Sequence, residues 1–378
     1  MGTRRMTRRD FLERGVKGGI GLTLGASFLA ACSSDSDTPE PSADGATSTG
    51  SKPEPDGDLN YFSWAAFIHP KVVQGFEDEY GVKVNKTFFA NDDQMVAKLA
   101  SGLPFDVVTT NSAYMLPLTE GGLLAQIDHA ALTNLDQVIP FFQDPPFDPG
   151  AAYSLPYAYG PTGIGWNDSE VQTMTGSWND LWDHPEAAGK IFVLDQIEEA
   201  IGMSLLRLGF PLNSGDPDQV QQAADALIDL KPSLAGFSTD DYTNLSNGSA
   251  WIHHAWSGDV WYAMSLMDDP SVLRFQTNSE GVPLGSDQMS IPTNAEHPGT
   301  ALLFIDWMLD PKNSAKNAAW TGYANGTEAG NAAVNEVLAD VPFLQVPDSL
   351  LETADWKEVL TGDRKRLWSQ EWSRVKAS

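Results

Sequence analysis

The chain of 378 residues is poor in cysteine and in positive charge. Its one cysteine is Cys32, so no intrachain disulfide can form and the fold has no thiol nucleophile. Lysine and arginine number 23 against 51 aspartate and glutamate residues, a formal net charge of -28 at pH 7. Such a chain is not attracted to nucleic acid or to anionic surfaces. Its acidity fits a cationic ligand, although solubility or salt adaptation produces a similar composition.

Sequence patterns typical of catalytic and metal sites are also missing. The chain has no Gly-x-Ser-x-Gly motif, no glycine-rich phosphate loop, no HExxH motif and no cysteine cluster. Glu198 and Glu199 are adjacent, so they face different sides of a helix. We therefore predict no catalytic residue, no metal and no cofactor, with an acid-pair hydrolase of the lipoprotein type kept as the less favoured alternative.

Three signals in order mark residues 1–31 as an export signal. Residues 7–12 read TRRDFL, a twin-arginine pattern, and residues 18–31 form an apolar run too short to span a membrane as a mature helix. Residues 29–32 read LAAC, which looks like a lipobox ending at the lipid-bearing Cys32. The sequence thus predicts a twin-arginine lipoprotein anchored at the cell membrane, in the periplasm or at the cell surface. A chance cysteine in an ordinary signal peptide is the alternative.

The next segment, 32–58, is predicted to be the lipidated cysteine followed by a disordered tether. Apart from proline, residues 33–57 contain no apolar side chain larger than alanine, so they cannot bury a core. The remaining length is sufficient for two domains.

From residue 59 onward, strand-like and helix-like stretches alternate, which predicts an α/β fold with largely parallel sheets. The predicted strands cover 59–64, 82–88, 105–110, 191–194 and 251–255. The predicted helices cover 70–80, 92–101, 197–208, 217–230, 257–267, 298–309 and 311–320. The glycines of residues 160–165, GPTGIG, favour a tight crossing strand.

Residues 253–261, HHAWSGDVW, carry two histidines, two tryptophans and a carboxylate. Adjacent histidines on a strand face opposite sides, which disfavours one shared metal ion. Trp256, Asp259 and Trp261 instead supply a carboxylate and aromatic faces at a strand-to-helix junction, the groups that an ammonium ligand needs. Taken alone, the two tryptophans are more often core residues.

Seven stretches in chain order resemble the spermidine/putrescine-binding proteins of bacterial ABC importers. They are FSWAAF at 62–67, FDVV at 105–108, YSLPY at 153–157, SWNDLW at 177–182, WSGD at 256–259, DQMSIP at 287–292 and TGY at 321–323. The resemblance covers nearly all of residues 59–378. It implies the two-lobed periplasmic-binding-protein fold of type II, with two chain crossings between the lobes. Lobe 1 is expected at 59–160 plus 286–329, and lobe 2 at 161–285 plus 330–378.

The resemblance also implies a monomer that captures a polyamine between its lobes and delivers it to the membrane subunits of an ABC permease. The family's ammonium partners fall on Glu199, Asp259 and Asp287, and its stacking residues on Trp64, Trp256 and Tyr323. The other family positions fall on Phe67, Asn111, Ser112, Tyr114, Gln196 and Lys357. Without the ordered resemblance, each carboxylate would be interpreted as a surface acid or helix cap.

Several positions depart from the family pattern. A family acid falls on Gln196, an aromatic on Gly285, and a late glutamine on Lys357. A lysine beside a polycation is repulsive unless a carboxylate pairs with it. The pocket is therefore expected to favour a shorter diamine, a monoamine or an acid-bearing ligand, unless Lys357 points outward. The alternative function is the same fold binding another small solute, such as an amino-acid-like compound.

Overall fold

The computed structural model describes residues 53–65, 67–89, 91–347 and 349–378. The strands in these ranges are β1 (Leu59–Trp64), β2 (Val84–Phe89), β3 (Val107–Asn111), β4 (Ser154–Asn167), β5 (Ile191–Val193), β6 (Leu234–Phe237), β7 (Ile252–Trp256), β8 (Leu273–Gln276), β9 (Pro283–Ser290) and β10 (Asp355–Trp356). The signal peptide at 1–31, Cys32 and the tether up to residue 52 lie outside the described residues.

The α-helices of the same ranges alternate with the strands along much of the chain. They are α1 (Pro70–Tyr80), α2 (Asp92–Ala100), α3 (Met115–Glu120), α4 (Pro140–Gln143), α5 (Ile197–Arg207), α6 (Pro217–Leu230), α7 (Asp241–Ser246), α8 (Ser257–Leu266), α9 (Pro298–Leu309), α10 (Pro311–Thr321), α11 (Glu328–Val337), α12 (Ser349–Thr353) and α13 (Gly362–Ala377). None of these helices combines the length and apolarity needed to cross a membrane.

The strands form one sheet in the order β2-β1-β3-β9-β4-β7-β5-β6, with β10 beside β9 and β8 beside β4. Strand β4 belongs to both halves of this sheet. Its residues 154–161 pair with β9, and its residues 162–167 pair with β7 and β8. The chain therefore leaves the first half along β4 and returns between β8 and β9.

The prediction of largely parallel sheets is wrong for the middle of the sheet. The outer pairs β1–β2, β1–β3, β5–β6 and β5–β7 are parallel, but β4 is antiparallel to β7, β8 and β9, and β9 is antiparallel to β3. The physical reason is that β4 and β9 carry the chain in opposite directions between the halves.

Glycine allows β4 to pass close to its neighbours, as the crossing-strand interpretation of residues 160–165 predicted. A Cβ added at Gly163 would lie 2.1 Å from the backbone oxygen of Gln276 in β8. A Cβ added at Gly160 would lie 2.8 Å from the Ser257 hydroxyl and 3.0 Å from the Tyr323 ring. These close approaches explain why the glycines stand inside a strand, where they otherwise weaken it.

Apolar side chains pack on both halves of the sheet, and one buried cluster extends from β1 to β8. Tyr61 and Phe62 are successive residues of β1 and face opposite sides of the sheet. The Tyr61 ring lies 5.2 Å from that of Phe304 in α9, and the Phe62 ring stacks 4.2 Å from that of Phe105. In the second half, α5 is buried from Glu199 to Leu206, among apolar side chains of β5 and α6. Burying each large apolar side chain contributes about 1.5–3 kcal/mol.

Most predicted element boundaries hold to within two residues. The predictions for 59–64, 70–80, 217–230 and 298–309 agree with β1, α1, α6 and α9. Six helices and four strands were not predicted, namely α3, α4, α7, α11, α12, α13, β6, β8, β9 and β10. Most of these are short or lack a clear apolar period, which is the signal that sequence reasoning depends on.

The predicted lobe boundaries remain a prediction. The boundary between residues 329 and 330 falls inside α11, which packs along α10. The C-terminal helix α13 packs on α5 and α6 in the second half of the sheet.

The end of the predicted tether is packed on the fold, so the tether ends before residue 58. The Asp56 carboxylate accepts hydrogen bonds from the backbone N–H groups of Gly299 (3.0 Å) and Thr300 (2.8 Å), at the start of α9. Burial alone would raise the pKa of Asp56, but these hydrogen bonds outweigh it and the pKa is lowered. Asp56 lies 243 residues before Gly299 in the sequence, so the composition of residues 33–57 did not indicate this contact with α9.

Replacing Asp56 tests this packing. We expect Asp56→Ala to lower the free energy of unfolding at pH 7 by about 1 kcal/mol, because the first turn of α9 loses its acceptor. Because the pKa of the folded-state carboxyl is lowered, the loss should be complete above the ordinary aspartate pKa and fade as the pH falls below it. Urea unfolding at pH 7 and pH 3 measures both effects, with exposed Glu54→Ala as the control. Equal stability of Asp56→Ala and wild type at pH 7 would contradict the capping role.

Candidate functional site

The predicted site residues lie where strands end and helices begin. Trp64, Asn111 and Trp256 are the last residues of β1, β3 and β7. Glu199 and Asp259 stand in the first turns of α5 and α8. Ligands of open α/β sheets bind at the carboxyl ends of strands. The partial positive charge of a helix N-terminus also favours a carboxylate at that place.

Seven of the predicted residues are joined by hydrogen bonds in three groups, which we call the acid–aromatic cluster. Its members are Trp64, Glu199, Trp256, Asp259, Asp287, Tyr323 and Lys357.

The first group is Asp287 with Trp64. The indole Nε1 of Trp64 donates to Oδ1 of Asp287 at 3.2 Å. Asp287 lies on β9 and is half-buried. Burial raises its pKa to about 6, although the hydrogen bond from Trp64 and the charge of Lys357 partly oppose this. Asp287 forms no ion pair with any residue in the described ranges, so its carboxylate is poorly compensated.

The second group surrounds Glu199, which is only 2% exposed. Its Oε1 accepts hydrogen bonds from Lys357 Nζ at 2.5 Å, Trp256 Nε1 at 2.9 Å and Thr162 Oγ1 at 3.4 Å. Burial raises the pKa of Glu199, but the charge of Lys357 and these hydrogen bonds outweigh it and lower the pKa. Lys357 therefore points into the cluster rather than outward.

The adjacent histidines face opposite sides of β7, as predicted. The His253 ring stacks 5.3 Å from Phe192, whereas the His254 ring lies 5.3 Å from Trp178, with its Nε2 3.9 Å from Glu199 Oε2. Burial lowers the pKa of His253 to about 3 and that of His254 to about 4, so both are neutral at pH 7. Among the described residues, no group of three or more histidine, cysteine or acidic side chains could hold a metal ion.

The third group joins Asp259 to Tyr323. The Tyr323 hydroxyl donates to Asp259 Oδ1 at 3.2 Å, and the Tyr323 ring meets that of Phe67 edge-on at 6.0 Å. The ring also lies against the helix start of α8, because a Cβ added at Gly258 would lie 2.1 Å from it. Trp261, which the sequence placed beside Asp259, packs its indole against Gly322.

Sequence reasoning missed Asp241, which supports this third group. Asp241 is fully buried at the start of α7, where it accepts hydrogen bonds from the backbone N–H of Trp256 (3.1 Å) and Tyr242 (2.9 Å). Its carboxyl also shares a hydrogen bond with that of Asp259, and burial together with the Asp259 charge raises the pKa of Asp241 well above its usual range. An aspartate at a helix start is common, so the sequence gave no signal that this one is buried.

Two further acids near the cluster were also missed as site residues. Asp92 opens α2, and burial together with the charge of Asp287 raises its pKa to about 8. Burial likewise raises the pKa of Glu198, one residue before Glu199. Predicted Tyr114 lies near both acids, and burial and the charge of Asp92 raise the pKa of its phenol.

The remaining predicted residues surround the cluster without joining its hydrogen-bonded groups. Asn111 is the register partner of Asp287 between β3 and β9, and its side chain accepts from the backbone N–H of Ala113. The Ser112 hydroxyl accepts from the backbone N–H of Ser286 at 3.3 Å. Gln196 stands at the N-cap of α5 but makes no capping hydrogen bond.

The fold and this cluster define the class of protein. The family described as bacterial extracellular solute-binding protein matches residues 71–341, and the chain belongs to that family. The spermidine/putrescine-binding periplasmic protein of Escherichia coli is 27% identical over 323 residues, 84% of this chain and 91% of that protein. The putrescine/cadaverine-binding protein of Pseudomonas aeruginosa is 27% identical over 334 residues, 84% of this chain and 93% of that protein. The resemblance drawn from the sequence is therefore confirmed.

Solved structures support the same fold. The spermidine/putrescine ABC transporter substrate-binding protein of Streptococcus pneumoniae superposes with a TM-score of 0.76 at 24% identity, covering 85% of this chain and 99% of that one. A lipoprotein of Treponema pallidum gives 0.75 at 23% identity, covering 84% and 98%. The two-lobed periplasmic-binding-protein fold is thus confirmed. The protein is a solute-binding protein and not an enzyme.

The contact between Gly258 and the Tyr323 ring gives a test of the third group. We expect Gly258→Ala to push the ring away from Asp259 and to lower the free energy of unfolding by about 1–3 kcal/mol, since the added methyl group has no space. Urea unfolding measures the loss. Gly215→Ala is the matched control, because a Cβ there meets nothing within 4 Å. Equal stability of the two variants would show that the Tyr323 ring does not pack against the start of α8.

Proposed function

We propose that this protein captures a polyamine of the putrescine or spermidine type between its lobes and delivers it to the membrane subunits of an ABC importer. The family membership supports solute capture, and the named relatives bind such amines. The ligand residues proposed for this chain are the acid–aromatic cluster, with Phe67, Asn111, Ser112, Tyr114 and Gln196 around it.

The observation that carries the proposal is the state of Asp287. Its carboxylate accepts from a neutral indole, and the nearby lysine is bonded to Glu199 instead. A half-buried carboxylate without a counter-charge is costly, and a bound ammonium supplies that charge. The same cation would lie beside Trp64, whose aromatic face adds cation–π attraction of about 0.5–2 kcal/mol.

The third group offers a second place for an ammonium. Asp259 is held between the Tyr323 hydroxyl and the carboxyl of Asp241. A cation there would favour ionisation of this acid pair. The methylene chain of a diamine would then lie between Asp287 and Asp259, against the rings of Trp64, Trp256 and Tyr323.

The alternative ligand, an acid-bearing amine, depends on a positive charge available to its carboxylate. Lys357 lies in the cluster, but its ammonium is 2.5 Å from Glu199 and is already neutralised. This pairing favours the amine over the acid-bearing compound.

Replacing Asp287 tests the proposal. We expect Asp287→Asn to weaken putrescine binding by about 2–3 kcal/mol, on the order of 100-fold in Kd, because the ammonium loses its charged partner while the Trp64 hydrogen bond keeps an acceptor. Isothermal titration calorimetry on residues 33–378 measures Kd for putrescine, cadaverine, agmatine, spermidine and several amino acids.

The matched control is Asp363→Asn, whose side chain is 92% exposed on α13. It changes the net charge equally and should leave Kd within about twofold. Failure of the wild type to bind any amine would contradict the proposed ligand class. Equal Kd values for Asp287→Asn and wild type would contradict the assigned partner.

The raised pKa of Asp287, about 6, predicts a pH dependence. A cation binds the ionised carboxylate, so affinity should be highest above pH 6 and fall by up to about tenfold per unit below it. Asp92, with a pKa raised to about 8, extends the effect upward in pH. Calorimetry of putrescine at pH 5, 6 and 7.5, in two buffers of different ionisation enthalpy, measures both affinity and proton release. A constant Kd from pH 5 to 7.5 would argue against this assignment.

We also propose that a lipid on Cys32 anchors the exported, monomeric chain near its permease, as the LAAC sequence at 29–32 favours. We expect Cys32→Ser to move the protein from the membrane fraction to the soluble fraction in cells. An unchanged membrane fraction would contradict the anchor.

A further inference from the structure

Lys357 is fixed in the acid–aromatic cluster by the edge of the sheet. It directly follows β10, and its backbone N–H donates to the Leu284 oxygen of β9 at 3.2 Å. Its ammonium lies 2.5 Å from Glu199 Oε1, and its side chain is 15% exposed. A lysine restrained at both ends in this way is part of the binding surface rather than a mobile surface charge.

Oε1 of the Glu199 carboxylate has no capacity left for a ligand ammonium. Oε1 already accepts from Lys357, Trp256 and Thr162. Oε2 accepts no hydrogen bond within the described residues, but it is buried and faces the fully buried His254, away from an entering solute. A solute entering between the lobes therefore meets Glu199 only through the lysine that covers it.

Gly285 makes the space for this lysine. A Cβ added at Gly285 would lie 3.2 Å from both Cε and Nζ of Lys357, so a larger side chain at this position would displace the ammonium. Because Gly285 has no side chain, the side chain of Lys357 occupies the volume beside it. The glycine at 285 and the lysine at 357, which looked like separate features of the sequence, are therefore linked in the structure.

Building on the proposed function, we infer that Lys357 occupies an ammonium subsite at Glu199 with a cation that belongs to the protein. The solute then presents at most two cationic groups, one to Asp287 and one to Asp259. A triamine brings a third ammonium towards Lys357, where like charges repel and the carboxylate bonded to the lysine, Glu199, is already neutralised. The ligand class is therefore a diamine, and the lysine sets the number of positive charges that the site accepts.

Charge-changing variants at this pair test the inference. Wild type is expected to bind putrescine at least tenfold more tightly than spermidine in calorimetry at pH 7.5. In Lys357→Gln, Glu199 loses its counter-charge, so the affinity for spermidine relative to putrescine should rise at least tenfold. The double variant Lys357→Gln with Glu199→Gln is neutral at the subsite again and should return to the wild-type ratio. If Lys357 had only a structural role, Lys357→Gln would lower the affinities for putrescine and spermidine together.

Glu199→Gln alone should lower the affinity for spermidine relative to putrescine, opposite to Lys357→Gln. It tests the inference if Lys357→Gln does not fold. It leaves the lysine charge unopposed, so spermidine should weaken at least tenfold and putrescine less than threefold. Circular dichroism and melting temperature verify folding of each variant. An unchanged spermidine-to-putrescine ratio in Lys357→Gln, or equal losses in Glu199→Gln, would overturn the role of Lys357 while the amine-binding function stands. Absence of binding of every amine by folded wild type would overturn the proposed function itself.

Discussion

The antiparallel pairing of β4 with β9 is the constraint on which the rest of the structure depends. These two strands run side by side in opposite directions through the middle of the sheet, and both halves are built outward from them. β9 carries Asp287, and β4 carries Thr162, which donates to Glu199. A shift of either strand by one residue would turn its site side chain to the other face of the sheet. The backbone hydrogen bonds between β4 and β9 therefore determine where the site lies in the sheet.

The four buried or half-buried acids near the site differ in the direction of their pKa shifts. Glu199 is kept ionised by a lysine and two neutral donors, whereas burial pushes Asp287, Asp92 and Asp241 towards their protonated forms. The four groups differ because, within the described ranges, only Glu199 among them forms an ion pair with a lysine. Ionised acids without a counter-charge would repel one another. Proton uptake relieves that repulsion, as the proposed bound cation would.

Much of the fold and part of the site could be predicted from the sequence. Regular apolar periods and proline or glycine boundaries located β1, α1 and α6, because those signals are local. The antiparallel centre of the sheet could not be predicted, since strand direction depends on partners that are distant in sequence, such as Ser154 and Ser290. The resemblance brought Trp64, Asp259 and Asp287 together. Asp241 and the direction of Lys357 depend on packing between distant segments, for which single residues give no signal.

The two indole N–H groups of the site have a consequence for spectroscopy. Trp64 donates to Asp287, whose charge the proposed cation would neutralise, whereas Trp256 donates to Glu199, which Lys357 already neutralises. The emission of an indole shifts with the electric field along its ring. Of the 12 tryptophans, Trp64 is therefore expected to shift its emission when a cation reaches Asp287, and Trp256 is expected to serve as an internal reference.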